Sequence, residues 1–191
     1  MYHRKQVANG SCFALAVFAL LLTASAAGAA GPEYRDPFQH FFHQSFGDLK
    51  EELVTARSEG KSAVFVMFDD PDCPWCHKMK ETILSRPQVQ DYFRDHFRPV
   101  QVSTRGDSPI YNFKGEETTG KDFSFKEHRV RATPVFMFFD LDGEPITKYI
   151  GPTKSADEFL LLGEYVADGH FKTKKFTVFK QERATASRSA S

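Results

Sequence analysis

Apolar positions along the chain fall into runs of different period, and each period predicts an element. The first run is nearly continuous, Cys12 to Leu22, with His3, Arg4 and Lys5 before it and small residues from Ala24 to Ala30 after it. A cationic start, an apolar middle and A-x-A patterns at 24–26 and 27–29 follow the order of a secretory signal peptide. The strongly apolar part falls short of the ~20 residues a bilayer span needs. Residues 1–30 are therefore expected to be removed on export, with retention as an uncleaved membrane anchor as the alternative.

Residues 31–47 carry Phe38, Phe41, Phe42 and Phe46 among prolines and polar residues. They read as an irregular aromatic lead-in packed on a domain spanning 48–180. Asp48 can cap a helix to Glu59, because Glu51 stands three residues on and Leu49, Leu53 and Ala56 recur at helical spacing. Ser62–Phe68 is short, apolar and partly β-branched, which predicts a buried strand. Pro74 suits the first position of a helix with Cys73 as its cap, and Met79, Ile83 and Leu84 supply its apolar face. A second helix is predicted over Pro87–His96 and a strand over Arg98–Ser103.

Residues 104–121 read as a long loop rich in glycine, or as a sign of a short element not yet recognised. Asp122–His128 is predicted as a short helix. Val135–Phe139 and Pro145–Ile150 form a hairpin around the Asp142-Gly143 turn signal. Ser155 and Glu158 make a capping box for a last helix closed by Gly169. Lysines 172, 174, 175 and 180 alternate with Phe171, Phe176, Val178 and Phe179, which reads as a lysine-protected edge strand, with a membrane-surface or partner contact as the alternative. Residues 181–191 are expected to be a disordered tail. Alternating strands and helices place the chain in the α/β class, with a central mixed β-sheet flanked by helices.

Composition narrows the function. The 191 residues include 25 basic and 25 acidic side chains, which argues against a nucleic-acid partner held by a general basic field. Removing residues 1–30 takes away Arg4 and Lys5 and no acid, so 23 basic side chains face 25 acidic ones, a charge of −2. Only Cys73 and Cys76 of the 3 cysteines then stay in the chain. Three cysteines are too few for a disulfide-stapled mini-protein or a four-cysteine zinc site.

Those two thiols occupy a chemically special place. Cys73-Pro74-Trp75-Cys76 follows a buried strand and opens a helix. A thiolate is the reactive form of cysteine, and the unpaired N–H groups and dipole of a helix N-terminus stabilise it. Cys73, at the cap, is expected to be exposed and the nucleophile. Cys76, one turn in, is expected to be shielded and to resolve the mixed disulfide. Trp75 is read as an aromatic facing the substrate, with a simple cover over the disulfide as the alternative.

The strand AVFVMF, the CPWC motif opening a helix, Thr133-Pro134 leading into VFMFF, the Asp142-Gly143 hairpin and the final helix together resemble the thioredoxin fold, over about residues 47–180. Within that family the chain is most similar to exported thioredoxins of the SoxW type, which have counterparts of RVRATPVFMFFDLDGE and EFLLLGEYVADGHF. The resemblance implies a protein-disulfide oxidoreductase with Cys73 and Cys76 catalytic. It implies a cis Pro134 facing the motif, with Pro74, Trp75, Thr133 and Pro134 forming a substrate groove. No separate cofactor is required, since the dithiol holds two electrons. The implied partners are disulfide-bearing exported proteins and a membrane thiol-disulfide electron donor, and the implied compartment is the periplasm.

Three departures qualify the resemblance. Pro74-Trp75 replaces the Gly-Pro of cytosolic thioredoxins. Met67 stands where the family carries a buried acid, leaving Asp69 and Asp70 as nearby carboxylates of unknown direction. Asp72 replaces an aromatic. With Asp69 and Asp70 it is expected to oppose the Cys73 thiolate, favouring reduction or exchange over strong oxidation. Two rival readings use the same residues. Cys73 to His77 also fits the C-x-x-C-H pattern of covalent haem attachment, and the pair could be a structural disulfide in a binding domain, although so short a loop gives little entropic stabilisation. A metal site would need His96 or His128 to join the cysteines. Each reads more simply as a partly solvated surface residue. His40 and His43 flank Phe41-Phe42 and could share a helical face, but a packed aromatic lead-in explains them more simply.

Overall fold

The computed structural model describes residues 34–189. The expected signal peptide and the last two residues lie outside the described residues.

The sheet is built from four strands. Strands β1 (Ala63–Asp69) and β2 (Phe97–Ser103) pair in parallel, while β5 (Val135–Phe139) and β6 (Pro145–Ile150) join antiparallel in the order β2-β1-β5-β6. The sheet is therefore mixed, as the strand and helix order predicts. Every residue of β1 and β5 is buried, because both central strands are covered on both faces.

Side-chain alternation divides the core in two. Ala63, Phe65 and Met67 of β1 join Phe136 and Phe138 of β5 on one face. Helices α3 (Pro74–Thr82), α4 (Pro87–His96) and α6 (Ala156–Ala167) cover that face with Met79, Phe93 and Phe159. Its centre is aromatic, with Phe65 meeting Phe93 edge-on at 5.3 Å and Phe93 stacking on Phe159 at 4.4 Å. On the other face Val64, Val66 and Phe68 pack with Met137 and Phe139 beneath α2 (Leu49–Ser58). As predicted, Asp48 caps α2 by accepting from the Glu51 N–H at 2.9 Å.

Several expectations are corrected. The lead-in is partly regular: α1 (Pro37–His40) is one helical turn capped by Asp36. It buries Phe41 and Phe42 but leaves Phe38 and Phe46 exposed, so only half of the expected aromatic packing forms. The supposed loop at 104–121 holds a small hairpin, β3 (Pro109–Tyr111) with β4 (Glu117–Thr119), followed by the turn α5 (Gly120–Asp122). These strands have three residues each, too few for a period to register in the sequence. The expected helix at 122–128 is a π-helical turn, Phe123–Glu127.

The carboxy-terminal segment differs most. Instead of an edge strand and a tail, α7 (Phe176–Ser189) runs as a continuous helix. Phe176 and Phe179, three apart, both pack on Tyr165 of α6. Lys180 pairs with Glu158 at 2.7 Å and Arg183 with Glu164 at 2.8 Å on the same side. The alternation that suggested a strand spans a 3-10 turn, His170–Lys172, and the start of α7, where Phe176, Phe179 and Lys180 face α6.

Candidate active site

The site forms where β1 gives way to α3. Cys73 has extended backbone angles and is the N-cap of α3, with Pro74 next, where its missing N–H costs nothing. The Cys73 Sγ accepts the Cys76 N–H at 3.1 Å, so the sulfur itself does the capping. Cys73 and Cys76 are joined by a disulfide, with Cα atoms 5.3 Å apart. Cys73 is 8% exposed and Cys76 is fully buried, while Trp75 between them is 54% exposed. Cys73 is thus the more accessible of the two, although less open than the sequence suggests.

The far side of the site comes from the segment before β5. Thr133-Pro134 is a cis peptide bond, as the resemblance implied. The Thr133 carbonyl oxygen lies 3.4 Å from Cys73 Sγ. The Pro134 carbonyl accepts the Gly151 N–H at 2.9 Å, tying this lip to the loop after β6. The structure therefore brings Cys73, Cys76 and Thr133 together, with Pro134 buried behind them and Pro74 and Trp75 outward.

The nearby acids are not bare charges. Asp69 continues the face of β1 that carries Phe65 and Met67, so its carboxylate lies beneath α3, two residues along from the position Met67 occupies. It is 3% exposed and accepts from Lys80 Nζ at 2.6 Å and Gln101 Nε2 at 2.7 Å. Lys80 stands one helical turn beyond Cys76. Asp70 and Asp72 share Arg105, which donates to them at 2.7 Å each and whose own pKa is pushed up, first by its hydrogen bond to Asp70. Three carboxylates thus meet two cations, and the expected opposition to the Cys73 thiolate is largely offset. Sequence reasoning missed Lys80, Gln101 and Arg105. The period-two face of β1 could have given the direction of Asp69.

The histidines do not converge on the sulfurs. His77 Nε2 is 2.7 Å from the Pro71 carbonyl oxygen, a contact that fixes its ring to its own chain. His96 lies against Tyr92, 4.4 Å between centroids. His128 packs edge-on to Phe123 and Phe139 on the opposite face of the sheet. Burial and the Lys148 ammonium hold its pKa down to about 4. Among the described residues, no group of three or more His, Cys, Asp or Glu side chains is arranged to hold a metal ion.

Residues 49–167 match the family described as the thioredoxin-like domain. The chain belongs to that family. This thioredoxin-like chain is a protein-disulfide oxidoreductase, and its fold recurs in solved structures. A thioredoxin-fold protein from Helicobacter pylori has a TM-score of 0.60 at 16% identity, over 81% of this chain and 98% of its own. A thioredoxin from Thermus thermophilus has a TM-score of 0.51 at 26% identity, over 66% and 87%. The oxidoreductase DsbH has a TM-score of 0.52 at 14% identity, over 68% and 88%. No curated protein matches the sequence.

Proposed function

We propose that this thioredoxin-like protein is exported and exchanges electrons with disulfides of other exported proteins, as a reductase or exchanger and not as a strong oxidant. The observation that carries the reading is the dithiol at the amino end of α3, one sulfur reachable and capping the helix, the other enclosed. The signal-peptide pattern of residues 1–30 supports export to a periplasmic space. Among the described residues no helix is long and apolar enough to cross a membrane.

In the reduced protein, the Cys73 thiolate attacks one sulfur of a partner disulfide. The partner's S–S bond breaks, its second sulfur leaves as a thiolate that takes up a proton, and a mixed disulfide joins Cys73 to the partner. Cys76 then loses its proton and attacks Cys73 Sγ. The Cys73–Cys76 disulfide forms and the partner departs with both sulfurs reduced. Asp69, buried under α3 and facing the same side as Cys76, is the group we assign to receive the Cys76 proton. A thiol-disulfide donor at the membrane, implied by the SoxW-type resemblance, would return the two electrons.

A strong oxidant needs a heavily stabilised thiolate. Here the support is one amide N–H and a helix terminus, and the two nearby cations, Lys80 and Arg105, are held in ion pairs with carboxylates. That balance favours reduction or exchange. The test is a pair of variants. Cys76→Ser should accumulate mixed disulfides with exported proteins through Cys73, and Cys73→Ser should neither trap partners nor reduce insulin. Insulin reduction by Cys73→Ser at the wild-type rate would overturn the assignment.

A further inference from the structure

Next to the disulfide, α3 and the loop after β6 enclose a groove of about 220 Å³. Its floor is apolar and closed: Met79, Ile83 and Thr153 are buried, and Thr153 Oγ1 lies 3.8 Å from Met79 Sδ. Its rim holds Trp75, Lys78 and Lys154. Two features tie it to the site: Trp75 of the CPWC motif is on its rim, and its loop wall directly follows Gly151, which is hydrogen-bonded to Pro134.

The charges around the two sulfurs are distributed unevenly. On the flank away from the groove, Arg105 is taken up by Asp70 and Asp72, and Lys80 by Asp69. On the groove side, Glu158 accepts from the Lys154 backbone N–H and pairs with Lys180, leaving the Lys154 ammonium outside that pair. Lys78 Nζ sits 5.3 Å from the centre of the Trp75 ring. Among the described residues neither the Lys78 nor the Lys154 ammonium makes an ion pair. Two cations outside any ion pair among the described residues therefore flank an exposed indole and an apolar trough on the helix that carries both cysteines.

We propose that this groove receives the extended segment beside the partner's disulfide, and that it selects segments carrying an apolar side chain next to a carboxylate. The inference rests on the exchange reaction proposed above and adds its substrate class. The apolar side chain fills the trough against Trp75 and Met79, where burial is favourable. The carboxylate lies between Lys78 and Lys154. Contacts of this kind are screened by salt, and two exposed pairs amount to about a threefold to tenfold preference.

The test uses two synthetic disulfide peptides with the same leucine beside the cysteine, one flanked by Asp and Glu and the other by Lys. Reduced full-length protein should react with the acidic peptide about three to ten times faster at low salt, and the ratio should shrink towards one at high salt. Lys78→Glu combined with Lys154→Glu should bring the ratio to one or invert it, and the neutral Lys78→Gln with Lys154→Gln should give an intermediate value. The ratio within each protein is the readout, so a general change in thiol reactivity cancels. Equal rates of the wild-type protein on both peptides, together with normal reduction of uncharged hydroxyethyl disulfide, would overturn the groove's selectivity and leave the exchange reaction standing. So would a wild-type ratio kept by the Glu variant. Failure of the wild-type protein on hydroxyethyl disulfide and on both peptides would instead remove the exchange reaction and the groove's role with it.

Discussion

At the residue scale, the chemistry concentrates in how a few side chains are oriented. Cys73 was readable as an N-cap because Pro74 follows it and a buried strand precedes it. Both signals are local, and the capping bond from the Cys76 N–H agrees with them. The partners of the acids were not readable, since Lys80, Gln101 and Arg105 reach them from other elements. Asp69 is the consequential case. A carboxylate buried under α3, on the sheet face that Cys76 also packs on, is the acceptor we propose for the Cys76 proton, and an amide could not serve. Asp69→Asn should therefore slow resolution of a mixed disulfide at neutral pH by roughly a hundredfold, the lower end of the usual general-base range. The loss should diminish as pH rises and Cys76 ionises unaided. Stopped-flow measurement of partner release between neutral and alkaline pH checks this, and a variant with an unchanged profile would remove Asp69 from the proton path.

Among the elements, legibility followed length and amphipathicity. The predicted strands and helices that build the sheet and its covering layers all form, because apolar runs such as VFMFF leave few alternatives to a buried strand. The three-residue strands of the 109–119 hairpin and the π-helical turn carry too few periods to be seen. Leading into α7, alternating Lys and Phe imitate a strand, and the decisive contacts with Tyr165, Glu158 and Glu164 are tertiary. Two histidines held by these less legible segments give a pH prediction. Burial first, then nearby cations, lowers His43 to about 3 and His128 to about 4 from an ordinary 6.5. Arg98, Arg94 and Lys61 act on His43, and Lys148 on His128. Both folded-state values lie below the unfolded one, so the unfolded chain binds more protons at acidic pH. Their contribution to stability is complete above about pH 6.5 and is lost as pH falls towards 4 and then 3. Urea midpoints should drop between pH 7 and pH 4.5, and the His128→Phe variant should drop less. Equal drops in the two proteins would contradict the assignment to His128.

For the molecule as a whole, a mixed sheet packed with phenylalanine on the α3 face forms a rigid base, and the dithiol sits at its edge with one sulfur more accessible than the other. The central claim is that this asymmetry makes Cys73 the nucleophile. The most direct measurement is alkylation of the fully reduced protein by iodoacetamide across pH, with the labelled cysteine located by peptide mass. The account predicts that label enters at Cys73 first, with a midpoint below the ordinary thiol value of about 8.5 and above the about 3.5 of a strong oxidant. Prior labelling of Cys76, or a Cys73 midpoint at or above about 8.5, would contradict it.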